Sequence, residues 1–229
     1  MDRGNALAGL AGLLADPTRA QICLALLGGR AWTAGELARH TGVAASTTSA
    51  HLDRLREGGL VREQRQGRHR YVRLAGAEVA ELLEDLTARL GPVPDRPRSL
   101  RAARASRALA EARTCYDHLA GRLGVEITDA MTARGLLDQD GGCALTEAGR
   151  EWLTGPLGVE PSALRGRRAV ARACVDWTER RPHLAGAAGA ALREAFERRG
   201  WIWHRGDREV RVTADGCAAL AAELGIRWG

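Results

Sequence analysis

The sequence predicts a mainly α fold with small β-hairpins, arranged in two parts, and three observations carry that prediction. Residues 33–74 read as helix, tight turn, helix and a two-stranded hairpin with a basic tip. Residues 91–99, GPVPDRPRS, are a proline-punctuated break in the pattern. Beyond it, His118-Leu119-Ala120-Gly121 recurs as His183-Leu184-Ala185-Gly186, the mark of an internal repeat. The expected boundaries are 1–91 for a first domain, 92–99 for a linker and 100–229 for a second, with repeat units at about 115–159 and 180–226.

Taken in order, residues 5–14 place Leu7, Leu10, Leu13 and Leu14 on one stripe, a short amphipathic helix. Asp16 is placed to cap the next helix, with Pro17 at its first position. That helix, 18–27, turns Ile22, Cys23, Leu26 and Leu27 inward, so Cys23 reads as a core thiol. A helix over 33–40 buries Leu37 and Ala38, and Gly42 supplies the turn. The following helix, 45–57, faces inward with Leu52 and Leu55. Its outer face carries Ser46, Thr47, Ser49, His51, Asp53, Arg54 and Arg56, and Thr48 belongs to the same polar front. Small polar residues at the front of a helix and arginines at its back suit a DNA major groove. Gly58-Gly59 ends the helix. The hairpin that follows gathers Arg65, Arg68, His69 and Arg70 around Gly67, a shape able to straddle a phosphate backbone. Residues 77–90 close the domain as another amphipathic helix, with Val79, Leu82, Leu83, Leu86 and Leu90 apolar.

On these residues the chain resembles the ArsR-type (ArsR/SmtB) winged helix-turn-helix regulators. The matching pattern is Asp16-Pro17-Thr18-Arg19, Ser46-Thr47, His51-Leu52, Leu55 and Gly59-Leu60-Val61, in order, within roughly residues 15–90. The resemblance implies a double-stranded DNA operator as partner and a homodimer paired through the first and last helices of the domain. It implies base contacts from Ser46, Thr47, Thr48, Ser49, His51 and Arg54, and backbone contacts from Arg65, Arg68, His69 and Arg70. It also implies metal sensing, but the chain departs from the family's usual sites. Where a Cys-x-Cys is expected stands Glu36-Leu37-Ala38-Arg39-His40, and residues 77–90 contain no His. No metal is expected at those positions.

Composition narrows the rest. A chain of 229 residues holds two ordinary domains, and 45% hydrophobic residues support real cores. With one Phe and two Tyr, the interiors must be filled by Leu, Ala, Val and the six Trp. No apolar run spans a bilayer and the N-terminus lacks a cleavable signal pattern, so a cytoplasmic protein without a membrane partner is expected. Five irregularly spaced Cys are expected as reduced thiols. The net charge is +6, and all 34 basic residues are Arg. Seven of them fall between Arg54 and Arg73 against Glu57 and Glu63, a local excess that fits an acidic polymer. No phosphate loop, nucleophile elbow or zinc-hydrolase helix is present, so neither an enzyme nor a cofactor is expected.

In the second part, residues 100–123 read as one long helix. Each repeat unit then reads helix, helix, hairpin, helix, so the fold class is an N-terminal winged helix-turn-helix plus an α-rich C-terminal domain of two winged-helix-like repeats. A crevice between the repeats, near Trp152, Trp177, Trp201, Trp203 and Trp228, would take an apolar small-molecule effector. Cys115, His118, Trp177, His183, Trp201 and Trp203 are its candidate ligand-binding residues. Equally, the tryptophans can be core filler and the histidines structural. The alternative is a metal-, arsenical- or thiol-responsive sensor using Cys115, His118, Cys174 and His183, with Cys115 and His118 on one helix face. Cys143, beside Gly142 in an expected turn, reads as an exposed reactive thiol. The function expected from all of this is a transcriptional regulator, a repressor whose operator binding answers to an effector.

Overall fold

The computed structural model describes residues 2–66, 69–90, 100–140, 142–205 and 208–229. It divides into two compact units, residues 1–83 and 84–229, and the division falls inside a helix. The first unit runs α1 (Arg3–Leu14), α2 (Pro17–Leu26), β1 (Trp32–Thr33), α3 (Ala34–Thr41), α4 (Ala45–Glu57), β2 (Val61–Gln66), β3 (His69–Leu74) and the start of α5 (Ala77–Ala88). Local chemistry sets these bounds. The Asp16 carboxylate accepts from the Arg19 amide at 2.9 Å to start α2. Thr33 and Glu36 form a reciprocal capping box at α3. Gly42, at φ 73°, ends α3 in the left-handed region and turns the chain into α4. The antiparallel sheet has the order β1-β3-β2, with Val61 opposite Leu74 and Gln66 opposite His69. Ile22, Cys23, Leu26, Leu37, Leu52 and Leu55 are buried, as the periodicity requires.

The second unit begins with the end of α5 and α6 (Leu100–Glu111). The order strand, strand, helix, strand, strand, helix then occurs twice. The first pass is β4 (Arg113–Cys115), β5 (His118–Ala120), α7 (Gly121–Ala133), β6 (Leu137–Asp138), β7 (Ala144–Leu145) and α8 (Glu147–Thr154). After a 3-10 turn at Pro161–Leu164 come β8 (Arg172–Val175), β9 (Pro182–Ala185), α9 (Gly186–Arg198), β10 (Ile202–Arg205), β11 (Glu209–Val212) and α10 (Ala214–Ala219). The long helix expected over 100–123 is therefore broken. It stops at Glu111, and residues 113–120 form a hairpin in which Cys115 pairs with His118. Thr114, Cys115 and Tyr116 are poor helix formers, and Tyr116 turns at φ 55°. Each pass thus opens on a strand pair where a helix was expected.

The repeated His-Leu-Ala-Gly has a structural reason. Its Leu and Ala are buried in β5 and β9, and its Gly opens the next helix. Gly121 and Gly186 take φ 74° and 84°, and a Cβ there would lie 2.6 Å from the Ala110 carbonyl oxygen or 2.8 Å from that of Ala169. Helix α7 packs on β9 and α9 packs on β5. Gly124 and Gly189 sit at these crossings: a Cβ on Gly124 would lie 3.5 Å from the Cβ of His183, and one on Gly189 would lie 3.1 Å from that of His118. One continuous core, including Leu123, Met131, Leu153, Leu192, Phe196 and Leu220, draws on both passes. Among the described residues no helix is long and apolar enough to cross a membrane.

Candidate nucleic-acid interface and buried thiol–imidazole cluster

Helix α4 exposes Ser46, Thr47, Ser49 and Arg54. Two other residues expected to face DNA are placed differently. Thr48 is fully buried and its Oγ1 donates to the Ala44 carbonyl at 3.1 Å, so it belongs to the inner face of the helix. Its position four residues before Leu52 puts it on that stripe, which the polar side chain disguised. The His51 ring is mostly buried, with Nδ1 3.7 Å from Asp16 at the cap of α2. On the wing, Arg65 and Arg70 are exposed, and Arg70 pairs with Glu63 across the hairpin. Gly67, Arg68 and the His69 side chain lie outside the described residues.

The second unit holds a compact polar cluster in its interior. Cys115 is 7% exposed, His118 0%, Cys174 2% and His183 1%. One donor atom from each lies within 4.8 Å of the others. Cys115 and His118 face each other across β4–β5, and Cys174 and His183 do so across β8–β9. The two hairpins bring the Nε2 atoms of His118 and His183 to 3.1 Å. Each Nδ1 faces an aspartate instead: His118 meets Asp117 at 3.3 Å, and His183 meets Asp176 at 3.3 Å. Asp176 is itself held by a buried ion pair with Arg113 at 2.8 Å and by the amide of Gly121 at 2.7 Å. Glu84, on α5, accepts from Cys115 at 3.0 Å and from Cys174 at 3.5 Å, and pairs with Arg172 at 2.8 Å.

Burial and neighbours perturb these groups strongly. Burial, then the negative charge of Cys115, pushes Glu84 up to about 8. Burial alone would lower His118, but Asp117 and Cys115 raise it to about 9. A hydrogen bond from Cys174 holds Cys115 well below the thiol range, and the same contact pushes Cys174 up. Asp176 is held far below the carboxylate range: burial opposes this, but His183 and Arg113 outweigh it. Two thiols and two imidazoles converging on one point form a donor set for a soft or borderline cation.

The sequence named four of these residues but placed Cys115 and His118 on a helix face. They are cross-strand partners. It gave no geometry for Asp117 and Asp176, and it missed Glu84 and Arg113, whose importance comes from burial that no periodicity reveals. Trp177, Trp201 and Trp203 have different surroundings: Arg113 stacks over Trp177, Trp201 packs edge-on against Phe196, and Trp203 is half-exposed on β10. A cleft of about 870 Å³ between α6 and the β10–β11 hairpin is lined by Arg104, Arg107, Arg205 and Arg211 with Glu111 and Glu209, and has no tryptophan. Cys143 is half-buried against the core, and burial raises its thiol, so it is not the reactive, exposed thiol expected.

Residues 14–64 match the helix-turn-helix domain family, and with the exposed face of α4 and the hairpin behind it they define a DNA-binding helix-turn-helix protein. The chain is 37% identical over 224 residues to the uncharacterized HTH-type transcriptional regulator YdfF of Bacillus subtilis, covering 96% of this chain and 98% of that one. It is 44% identical over 84 residues to the HTH-type transcriptional regulator CmtR of Mycobacterium tuberculosis, covering 37% of this chain and 70% of that one. A solution structure described as the cadmium metal-sensor CMTR from Mycobacterium tuberculosis aligns at 40% identity with a TM-score of 0.32, over 40% of this chain and 96% of that one. The chain belongs to the ArsR-type winged helix-turn-helix transcriptional regulators.

Proposed function

We propose that this regulator binds a near-palindromic operator as a homodimer and represses from it, with an effector in the second unit setting its grip. The observation that carries the DNA contact is the solvent-facing polar front of α4, Ser46, Thr47 and Ser49 followed by Arg54, on a helix whose other face is buried. Ser46, Thr47, Ser49 and Arg54 read bases, while Arg65, Arg70 and Arg68 follow the phosphates. The duplicated strand-and-helix order, with the matched His-Leu-Ala-Gly segments, supports two repeats in the second unit. Of the two effector readings, the convergence of four buried donors favours the thiol–imidazole cluster over an apolar crevice.

Fluorescence anisotropy on operator and random duplexes tests the division of labour. Arg65→Ala weakens binding to both and reduces the salt slope by about one. Thr47→Ala changes preference among operator variants by about 1–3 kcal/mol at one position. Equal losses on both duplexes for both variants sink the reading.

A further inference from the structure

We infer that Cys115, His118, Cys174 and His183 form a closed, four-coordinate site for a single borderline-soft divalent cation of the zinc and cadmium class. This deepens the regulator reading by naming the effector's chemistry, and it stands on geometry of its own.

The imidazoles make the first argument. A histidine ligand presents one ring nitrogen to the metal and donates the proton on the other to a carboxylate or carbonyl. His118 is set that way, with Nδ1 hydrogen-bonded to Asp117 at 3.3 Å, and Nδ1 of His183 lies 3.3 Å from Asp176 without a completed hydrogen bond. That leaves the two Nε2 atoms facing each other at 3.1 Å in the interior. An N–H···N hydrogen bond or a cation between its members satisfies such a pair. A shared proton would satisfy the nitrogens alone, but two sulfurs converge on the same point within 4.8 Å.

Distances give the second argument. Tetrahedral zinc, with bonds of about 2.0 Å to nitrogen and about 2.3 Å to sulfur, sets ligand atoms about 3.3–3.8 Å apart. The donors already span that scale, so a small inward shift of the thiols completes the shell. The donor set selects the ion: two thiolates and two imidazoles suit zinc or cadmium and disfavour magnesium or calcium, which take oxygen. All four ligands are protein side chains and all are buried, so no position is left open for substrate water, and the site stabilises and signals where an open site would catalyse.

Folding makes the site conditional on the second unit as a whole. Each hairpin brings one Cys and one His, and the ion would cross-link β4–β5 to β8–β9. Gly124 and Gly189 let α7 and α9 approach His183 and His118. On loading, any proton still held by the two sulfurs goes to solvent and both bind the ion as thiolates, so no oxidant or reductant is needed. The sulfur–carboxyl hydrogen bonds to Glu84 are then lost, which places the loaded site against the Glu84 carboxyl group on α5.

The test uses the full-length reduced chain after chelator dialysis, titrated with Co(II) and read in the visible range. The expected result is one Co(II) per chain, with intense tetrahedral d–d bands and a thiolate charge-transfer band that zinc abolishes. Cys115→Ser combined with Cys174→Ser removes the charge-transfer band, while Cys143→Ser keeps it. Because the double variant can fail to fold, ¹¹³Cd NMR of the unaltered protein gives a second measurement, with one resonance in the range of two sulfur and two nitrogen ligands. Weak octahedral bands, no uptake, a band that survives the double substitution, or a cadmium shift without sulfur ligation would each overturn the inference. Zinc loading should also change operator affinity by tenfold or more. Since uptake is measured without DNA, and operator binding without added ion, a failed regulator reading is distinguishable from a failed metal site.

Discussion

At the scale of single residues, burial rather than residue type decides what a polar side chain does. Thr47 and Thr48 are neighbours of identical chemistry, yet one faces solvent and the other donates to Ala44 inside the domain. Thr48→Val therefore keeps operator preference and costs about 1 kcal/mol of stability for the lost hydrogen bond. A change in base preference for that variant, comparable to Thr47→Ala, would show the assignment to be wrong. The same reasoning applies to Arg113 and Asp176, a pair with no side-chain exposure. Asp176→Ala leaves a buried guanidinium without its carboxylate and should cost about 3–5 kcal/mol in urea unfolding. A loss below about 1 kcal/mol would mean that the pair is not structurally important. The milder Asp176→Asn keeps the shape, removes the charge behind His183, and should weaken cation binding about 10–100-fold.

At the scale of elements, the chain is legible wherever punctuation and periodicity agree. Gly42 and Gly58-Gly59 bracket α4, and the expected and observed bounds coincide at 45–57. The turn at Gly42 is readable for the same reason, whereas Thr33, Thr146 and Thr213 prove to be caps that precede their helices. Residues 100–123 were misread because alanine and arginine give a helical average that conceals the short Arg113-Thr114-Cys115 strand. A β-branched residue and a Cys before a Tyr-Asp turn were the only local signal, and three residues are too few for an alternation to register. The cluster was half legible: its ligands were nameable, but a hairpin-to-hairpin approach is tertiary information. Its glycines make that approach testable. A Cβ at Gly124 would fall 2.5 Å from the Leu119 carbonyl oxygen, and at Gly189 2.4 Å from that of Leu184. Gly124→Ala and Gly189→Ala should each destabilise the second unit by about 1–3 kcal/mol or more, because backbone, not a flexible side chain, must yield. Thermal melts in which either variant matches the parent would contradict this packing.

For the whole molecule, the outstanding question is what covers α1. It is a twelve-residue helix with no buried residue in the single chain, and Leu7 on it is 67% exposed. Leu86 and Leu90, at the other end of the DNA-binding sequence, are exposed as well. Single exposed leucines are ordinary, but a helix whose leucines are at most half-buried gains little from folding alone. In the proposed homodimer, pairing two subunits through these helices would supply the missing burial and would set two copies of α4 about 34 Å apart, one turn of DNA. The consequence is quantitative. Leu7→Glu combined with Leu10→Glu should yield a monomer by sedimentation, with the rest of the first unit still folded. Losing the tethered second half-site should cost about 100-fold or more in operator affinity. The salt dependence separates this from a local defect, since each phosphate contact contributes about 0.9 to the slope of log affinity against log salt. A monomer touching one half-site should therefore show about half the parent slope, whereas damage to α4 would lower affinity and leave the backbone contacts of both subunits in place. A variant that stays dimeric, or a monomer with parental affinity and slope, would show that the operator is not read by two subunits joined through α1.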